Sequence, residues 1–295
     1  MSGRWRWPLR GVALGYLTLL VVIPVGSVFY RAFEQGLVAA WHAITAPDAL
    51  HAIWLTLLVV LIAVPLDTIF GVGVSLLLAR RRFPGASLLD AFIDLPLAVS
   101  PVVIGLSLVL VYGKTGWLGS WLAARGIQVI FSLPGIIMAS AVVALPYVVR
   151  AVLPVLQEIG TEQEQAAATL GASPLTAFRR ITLPSIRQAL AYGVTLTTAR
   201  VLGEFGGVVI VSGAIVGRTQ TLTLFIQGSI ENLNPVGAYV GAVILALLSL
   251  VVLVVLGTHH EGKDRRWRSP SPPSPSASET LSPWTTSASM FPIDP

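Results

Sequence analysis

TEQEQAAATLGASPLTAFRRITLP, residues 161–184, is a polar stretch set between two long apolar ones, roughly 129–149 and 185–211. Helix-to-helix connections usually run about two to eight residues, so one of this length has a structure of its own to explain. Thr161-Glu162-Gln163-Glu164 fits a capping box, with the Thr161 hydroxyl accepting from the Glu164 amide and the Glu164 side chain reaching back to the Thr161 amide. A helix is predicted to start there. Gln165 to Leu170 are good helix formers, and Gly171 suits the left-handed residue that closes a helix. Ser173-Pro174 reads as an N-cap followed by proline at the first helical position, opening a second short helix through Ile181 that Leu183-Pro184 is predicted to end. Leu175, Phe178 and Ile181 then recur at helical spacing beside Arg179 and Arg180. Such a surface fits the groove of a partner protein, or lies in the headgroup layer with its arginines on lipid phosphate.

Working outward, six stretches are long and apolar enough to cross a bilayer as helices: roughly 11–30, 52–79, 91–113, 129–149, 185–211 and 235–257. The chain of 295 residues is 54% hydrophobic and only 11% charged, which places it among all-α membrane proteins. The formal charge of +5 comes from basic residues scattered between apolar runs, which argues against nucleic-acid binding. Fourteen Lys and Arg lie in the amino terminus, 80–90, 150–187 and the carboxyl tail, against Arg31, Lys114, Arg125 and Arg218 in the alternate loops. The positive-inside rule therefore puts both termini, and the 150–184 connection, in the cytoplasm. Residues 1–10 are a cytoplasmic amino terminus, 11–257 the membrane domain, with its first span a retained anchor. The Pro/Ser-rich 258–295 is predicted to be a disordered cytoplasmic tail.

No cysteine is present, and the four histidines lie outside the apolar runs, so no metal site is predicted. No paired carboxylates or nucleophile motif point to catalysis. Asp67, Asp94, Arg200 and Glu204 fall inside apolar stretches, where an unpaired charge is expensive and partners are expected. Arg200 and Glu204, at i and i+4, are predicted to pair on one helix face, with Asp67 reaching Arg200 across helices. The cluster either fixes helix packing or lines a translocation path in which Arg200 meets a passing oxyanion. Gly203 with Gly207, and Gly237 with Gly241, permit close helix approach. Pro65, Pro96, Pro101, Pro134 and Pro146 are expected to interrupt the spans.

Gln165-Ala166-Ala167, then Gly171, then Ile181-Thr182-Leu183-Pro184 resembles the EAA signature of ABC importer permeases. The resemblance implies a type I importer permease fold of six transmembrane helices, with a cytoplasmic coupling helix between spans four and five. It implies that Glu164, Gln165, Ala166, Ala167, Gly171, Ser173, Pro174, Phe178, Arg179, Ile181, Leu183 and Pro184 meet a separate ATPase. The family's first motif position usually carries a carboxylate; Gln165 stands there, with Glu164 one place earlier. LDTIFGVGVSLLLARRRFPG (66–85), DLPLAVSPVVIGL (94–106) and TTARVLGEFGGVVIVSG (197–213) are similar to the sulfate/thiosulfate permeases of the CysW type, and molybdate and tungstate permeases share much of the pattern. The implied assembly holds an ATPase dimer, a second homologous permease of the T type and an external sulfate-binding protein in a bacterial inner membrane. Tyr112-Gly113-Lys114-Thr115 lacks the earlier glycine of a phosphate-binding loop, Leu108 standing in its place. ATP and Mg are therefore expected on the partner, and no cofactor on this chain. A self-contained secondary anion transporter is the alternative, although no second copy of any motif is seen.

Overall fold

A computed structural model describes residues 6–261. Helix α1 (Arg6–Leu17) passes through a π turn (Thr18–Val22) into α2 (Ile23–Phe33), and α3 (Leu37–Thr45) leads to the long α4 (Pro47–Arg80). Then come α5 (Ala86–Ala98), α6 (Pro101–Tyr112), the short α7 (Gly119–Ala123) and α8 (Leu133–Ile159). The polar stretch contains α9 (Glu162–Thr169) and α10 (Pro174–Ala177), followed by a π turn (Phe178–Thr182) and α11 (Leu183–Leu202). Helices α12 (Gly206–Ser212), α13 (Leu222–Glu231) and α14 (Pro235–Glu261) complete the chain. Helices satisfy their own backbone groups, which a bilayer interior requires.

Four helices are long and apolar enough to cross a membrane: Leu14–Phe33, Pro47–Arg80, Leu133–Ile159 and Pro235–Val255. The third and fifth predicted spans are not single helices. Helices α5 and α6 bend by 114° at Val99-Ser100, and Pro174–Leu202 bends by 53° into α12. At the first bend, Pro101 disfavours the helical region for Ser100, which sits at φ −58°, ψ 134° and starts a new helix. Pro101 and Pro134 therefore open helices, while Pro65, Pro96 and Pro146 run within them. Helix α14 continues to Glu261, past the predicted boundary at 257; the rest of the 258–295 tail lies outside the described residues, as do residues 1–5.

Helix α8 forms the centre. Its buried stripe, from Ile136 through Val143, Val148 and Val152 to Leu156, packs between α4 and α11. Small residues set the spacing: a Cβ on Gly71 of α4 would stand 2.7 Å from the Val148 side chain, and one on Gly193 of α11 would stand 3.2 Å from the Val148 Cα. Helices α6 and α12 approach still more closely, since a Cβ on Gly105 would meet the Gly207 carbonyl oxygen at 2.7 Å. Gly207 thus acts as predicted, but Gly203 lies in the α11–α12 break, where an added Cβ would meet nothing nearer than the Ala199 carbonyl oxygen at 3.6 Å. Gly241 packs on Ile226 and Phe225 of α13, and Gly237 faces Ser229 of α13 as well as Asn234, just ahead of its own helix, so both approach α13 closely. Large apolar residues such as Ile69, Leu110 and Leu250 face outward, as lipid contact demands.

Candidate functional site: a tethered loop and a charged helix break

The capping box does not form. Thr161 has no side-chain bond to the backbone at the start of α9, and its Oγ1 instead accepts from Gln165 Nε2 at 2.9 Å. Glu164 turns the other way. Its Oε2 accepts from Arg80 Nε at 3.1 Å, and its Oε1 accepts from Arg80 Nη2 at 3.0 Å and from the Thr182 hydroxyl at 2.7 Å. Arg80 Nη1 also donates to the Leu156 carbonyl at 2.9 Å. A forked guanidinium–carboxylate contact in a largely shielded setting outweighs the single backbone bond of a cap.

The turn after α9 follows the sequence reading. Gly171 sits at φ +83°, the Ala172 amide donates to Ala167 and the Gly171 amide to Ala168, which together make a Schellman motif. Ser173 caps α10, accepting from the Thr176 amide at 3.3 Å, with Pro174 at the first position. Leu183-Pro184 does not end the second helix. The chain widens into the π turn, where the Leu183 amide donates to Phe178, and runs on through α11. The wider turn relieves the clash between the Pro184 ring and the preceding turn, so the proline is carried inside one continuous rod.

The loop does not present all its predicted contact residues. Phe178 is half-buried against Leu156 and Ile186, and Ile181 and Leu183 are half-buried too. Ala167 is partly covered, while Gln165, Ala166, Gly171, Ser173, Pro174, Arg179 and Pro184 are exposed. The outward apolar points are Leu175, 59% exposed, and Leu170, 88% exposed. Leu170 was missed because it stands outside the Leu175-Phe178-Ile181 register, although an apolar residue just before a helix-closing glycine is a usable signal. Arg80 and Thr182 were missed as site residues because nothing local links positions 84 and 18 residues from Glu164.

At the α11–α12 break, Arg200 Nη1 lies 2.6 Å from Glu204 Oε2, so the predicted pair exists, but not as one helix face. The helix stops at Leu202, and Glu204 stands in the bend, its Oε1 accepting from the Gly207 amide at 2.8 Å. The carboxylate caps α12 and complements its dipole. Its Oε2 is close to Arg200 yet off the line of a hydrogen bond, which makes this contact an ion pair only. The Thr223 hydroxyl donates to the Glu204 carbonyl at 3.0 Å and ties α13 to the same point.

Asp67 does not join them. It is buried on α4, and its Oδ2 has no hydrogen-bond partner among the described residues, nor does it pair with Arg200. Register explains the miss: Gly71 and Gly193 both face Val148, so Asp67, one turn before Gly71, is level with Thr197, one turn after Gly193. Arg200 lies about a further turn along α11. The Thr197 and Ser140 hydroxyls are likewise buried without partners among the described residues. Asp94 instead meets Arg150 of α8 at 2.6 Å, and Asp90 lies 2.8 Å from the same guanidinium.

Residues 71–262 match the family of binding-protein-dependent transport system inner membrane components. The chain belongs to this family. The permease is 48% identical, over 250 residues, to the sulfate transport system permease protein CysW of Synechocystis sp., covering 85% of this chain and 91% of that one. It is 43% identical over 248 residues to the CysW protein of Escherichia coli, covering 84% and 85%. Likeness to the sulfate transport system permease protein CysT of Synechococcus elongatus is 39% over 252 residues, covering 85% and 90%. In fold, the permease is similar to a chain of a bacterial alginate ABC transporter solved in complex with an alginate pentasaccharide-bound periplasmic protein: TM-score 0.71, 17% identity, covering 86% of this chain and 94% of that one. It is an ABC importer permease subunit, a transport component rather than a catalyst.

Proposed function

We propose that the permease carries sulfate, with thiosulfate as a second cargo, across a bacterial inner membrane in six spans, counting each bent helix pair as one. The observation that carries the cargo reading is the 43–48% identity to sulfate permeases over more than four-fifths of the chain. Both termini face the cytoplasm in this reading, and so does the 161–184 loop. There Leu170, Leu175, Arg179 and Arg180 dock a separate ATPase dimer, which holds the ATP and Mg, while this chain binds no cofactor. A T-type permease completes the channel, and an external sulfate-binding protein delivers the cargo. Arg200, 27% exposed at its side chain, supplies a guanidinium toward the path, while Glu204 balances its charge.

The test is ATP hydrolysis and radiolabelled sulfate uptake in proteoliposomes containing this chain, the T-type permease and the ATPase. Sulfate-loaded binding protein is expected to stimulate both. Stimulation only by molybdate-loaded protein would transfer the cargo reading to molybdate, and no response from a verified complex would refute ATP-coupled import.

A further inference from the structure

We infer that Arg80, Glu164 and Thr182 form a latch through which displacement of the 161–184 loop reaches α4, α8 and α11. This rests on the loop being the ATPase contact, as proposed above, and gives Glu164 a role other than touching the ATPase.

Helices α9 and α10 contain no buried residue, so burial of their own side chains provides little hold on the spans. The firm polar connection is the Glu164 carboxylate, which accepts three hydrogen bonds: two from Arg80 at the end of α4 and one from Thr182 in the π turn leading into α11. Arg80 extends the set to α8 through the Leu156 carbonyl. One carboxylate in the loop is therefore fastened to three long helices, by residues 84 and 18 positions away. The side chains of Arg80 and Glu164 are 14% and 25% exposed; no water-sized space remains on the side facing Leu156, while on the other side the same residues and Thr182 border an open groove of about 450 Å³. Shielded charge-assisted bonds of this kind are strong and directional. A force on α9 is then passed to the helix ends and not lost in local sliding.

As positioning residues, Arg80, Glu164 and Thr182 should affect coupling more than assembly. The experiment measures sulfate transported per ATP hydrolysed, with complex yield by size exclusion, for the unaltered complex and for Arg80→Ala, Glu164→Gln and Thr182→Val. Expected is a fall of about tenfold in transport per ATP for Arg80→Ala, within the usual span of coupling effects, with assembly retained. Glu164→Gln is expected to fall less, and an Arg80→Ala, Glu164→Gln double variant to lose less than the two single losses multiplied together. An assembled Arg80→Ala complex with the unaltered transport per ATP would overturn the latch. If that variant fails to assemble, Thr182→Val decides by the same ratio, since it removes one hydrogen bond and keeps the ion pair. Failure of sulfate-loaded binding protein to stimulate the unaltered complex refutes the importer reading, whereas normal stimulation with unaffected variants refutes only the latch.

Discussion

The 161–184 loop and the α11–α12 break both turn the chain sharply between helices, but they hold their shapes by opposite means. In the loop the turn is local: a left-handed Gly171, paired Schellman bonds and the Ser173 cap. The break has no positive φ at Gly203, which sits at φ −90°. Its direction comes from a buried carboxylate shared between Arg200 and the start of α12, and from Val201, Leu202, Val208 and Val211 packed in the core. A surface hinge can be written in consecutive residues, while a hinge inside the helix bundle takes its geometry from its neighbours.

Substitutions that break one hinge and spare the other test this contrast. The largest effect is expected for Glu204→Ala, which leaves Arg200 unpaired and uncaps α12. A loss of about 3 kcal/mol is expected, the low end for breaking a buried pair because Arg200 is partly exposed. Thermal unfolding of the purified complex should show the lowered midpoint; an unchanged midpoint would mean that packing alone sets the bend. Gly171→Val should cost about 1–2 kcal/mol by forcing a side chain into the left-handed region, even though the space there is open. Transport should fall with it, and full activity at full stability would show the turn to be dispensable.

Asp67→Asn sharpens the comparison at the buried level. With no ion pair to lose, the stability should stay within about 1 kcal/mol of the unaltered chain or rise; a large drop would reveal a partner for this carboxyl. The smallest effect on stability is expected for Leu170→Ser, within about 0.5 kcal/mol because the side chain stands in solvent. Co-purification of the ATPase should weaken in that variant, and undiminished capture would move the docking surface elsewhere on the loop.

The same division explains what was legible in the sequence. Gly171, Ser173 and Pro174 could be read because caps and turns depend on residues within a few positions. The Arg80–Glu164 contact could not, since hydrophobic periodicity says nothing about which polar ends meet across 84 residues. Glu164 was assigned to the wrong bond for the same reason: the capping box competes locally, but the stronger partner comes from α4. The bend between α5 and α6 was available in Ser100-Pro101, a turn signal masked by uninterrupted apolar residues on both sides. The break at Glu204 was masked likewise by the i, i+4 spacing from Arg200, although Gly203, Gly206 and Gly207 around it weaken a helix.

The π turn that carries Pro184 inside a continuous rod has a mechanical consequence. From Pro174 to Leu202 the rod spans roughly 40 Å at the helical rise of about 1.5 Å per residue. Pivoted near Pro174, such a lever would turn a tilt of about 5° into an excursion of roughly 3–4 Å at Leu202. That excursion is comparable to the diameter of a water molecule, and it would shift the Arg200–Glu204 pair by that width without any helix in the rod unwinding.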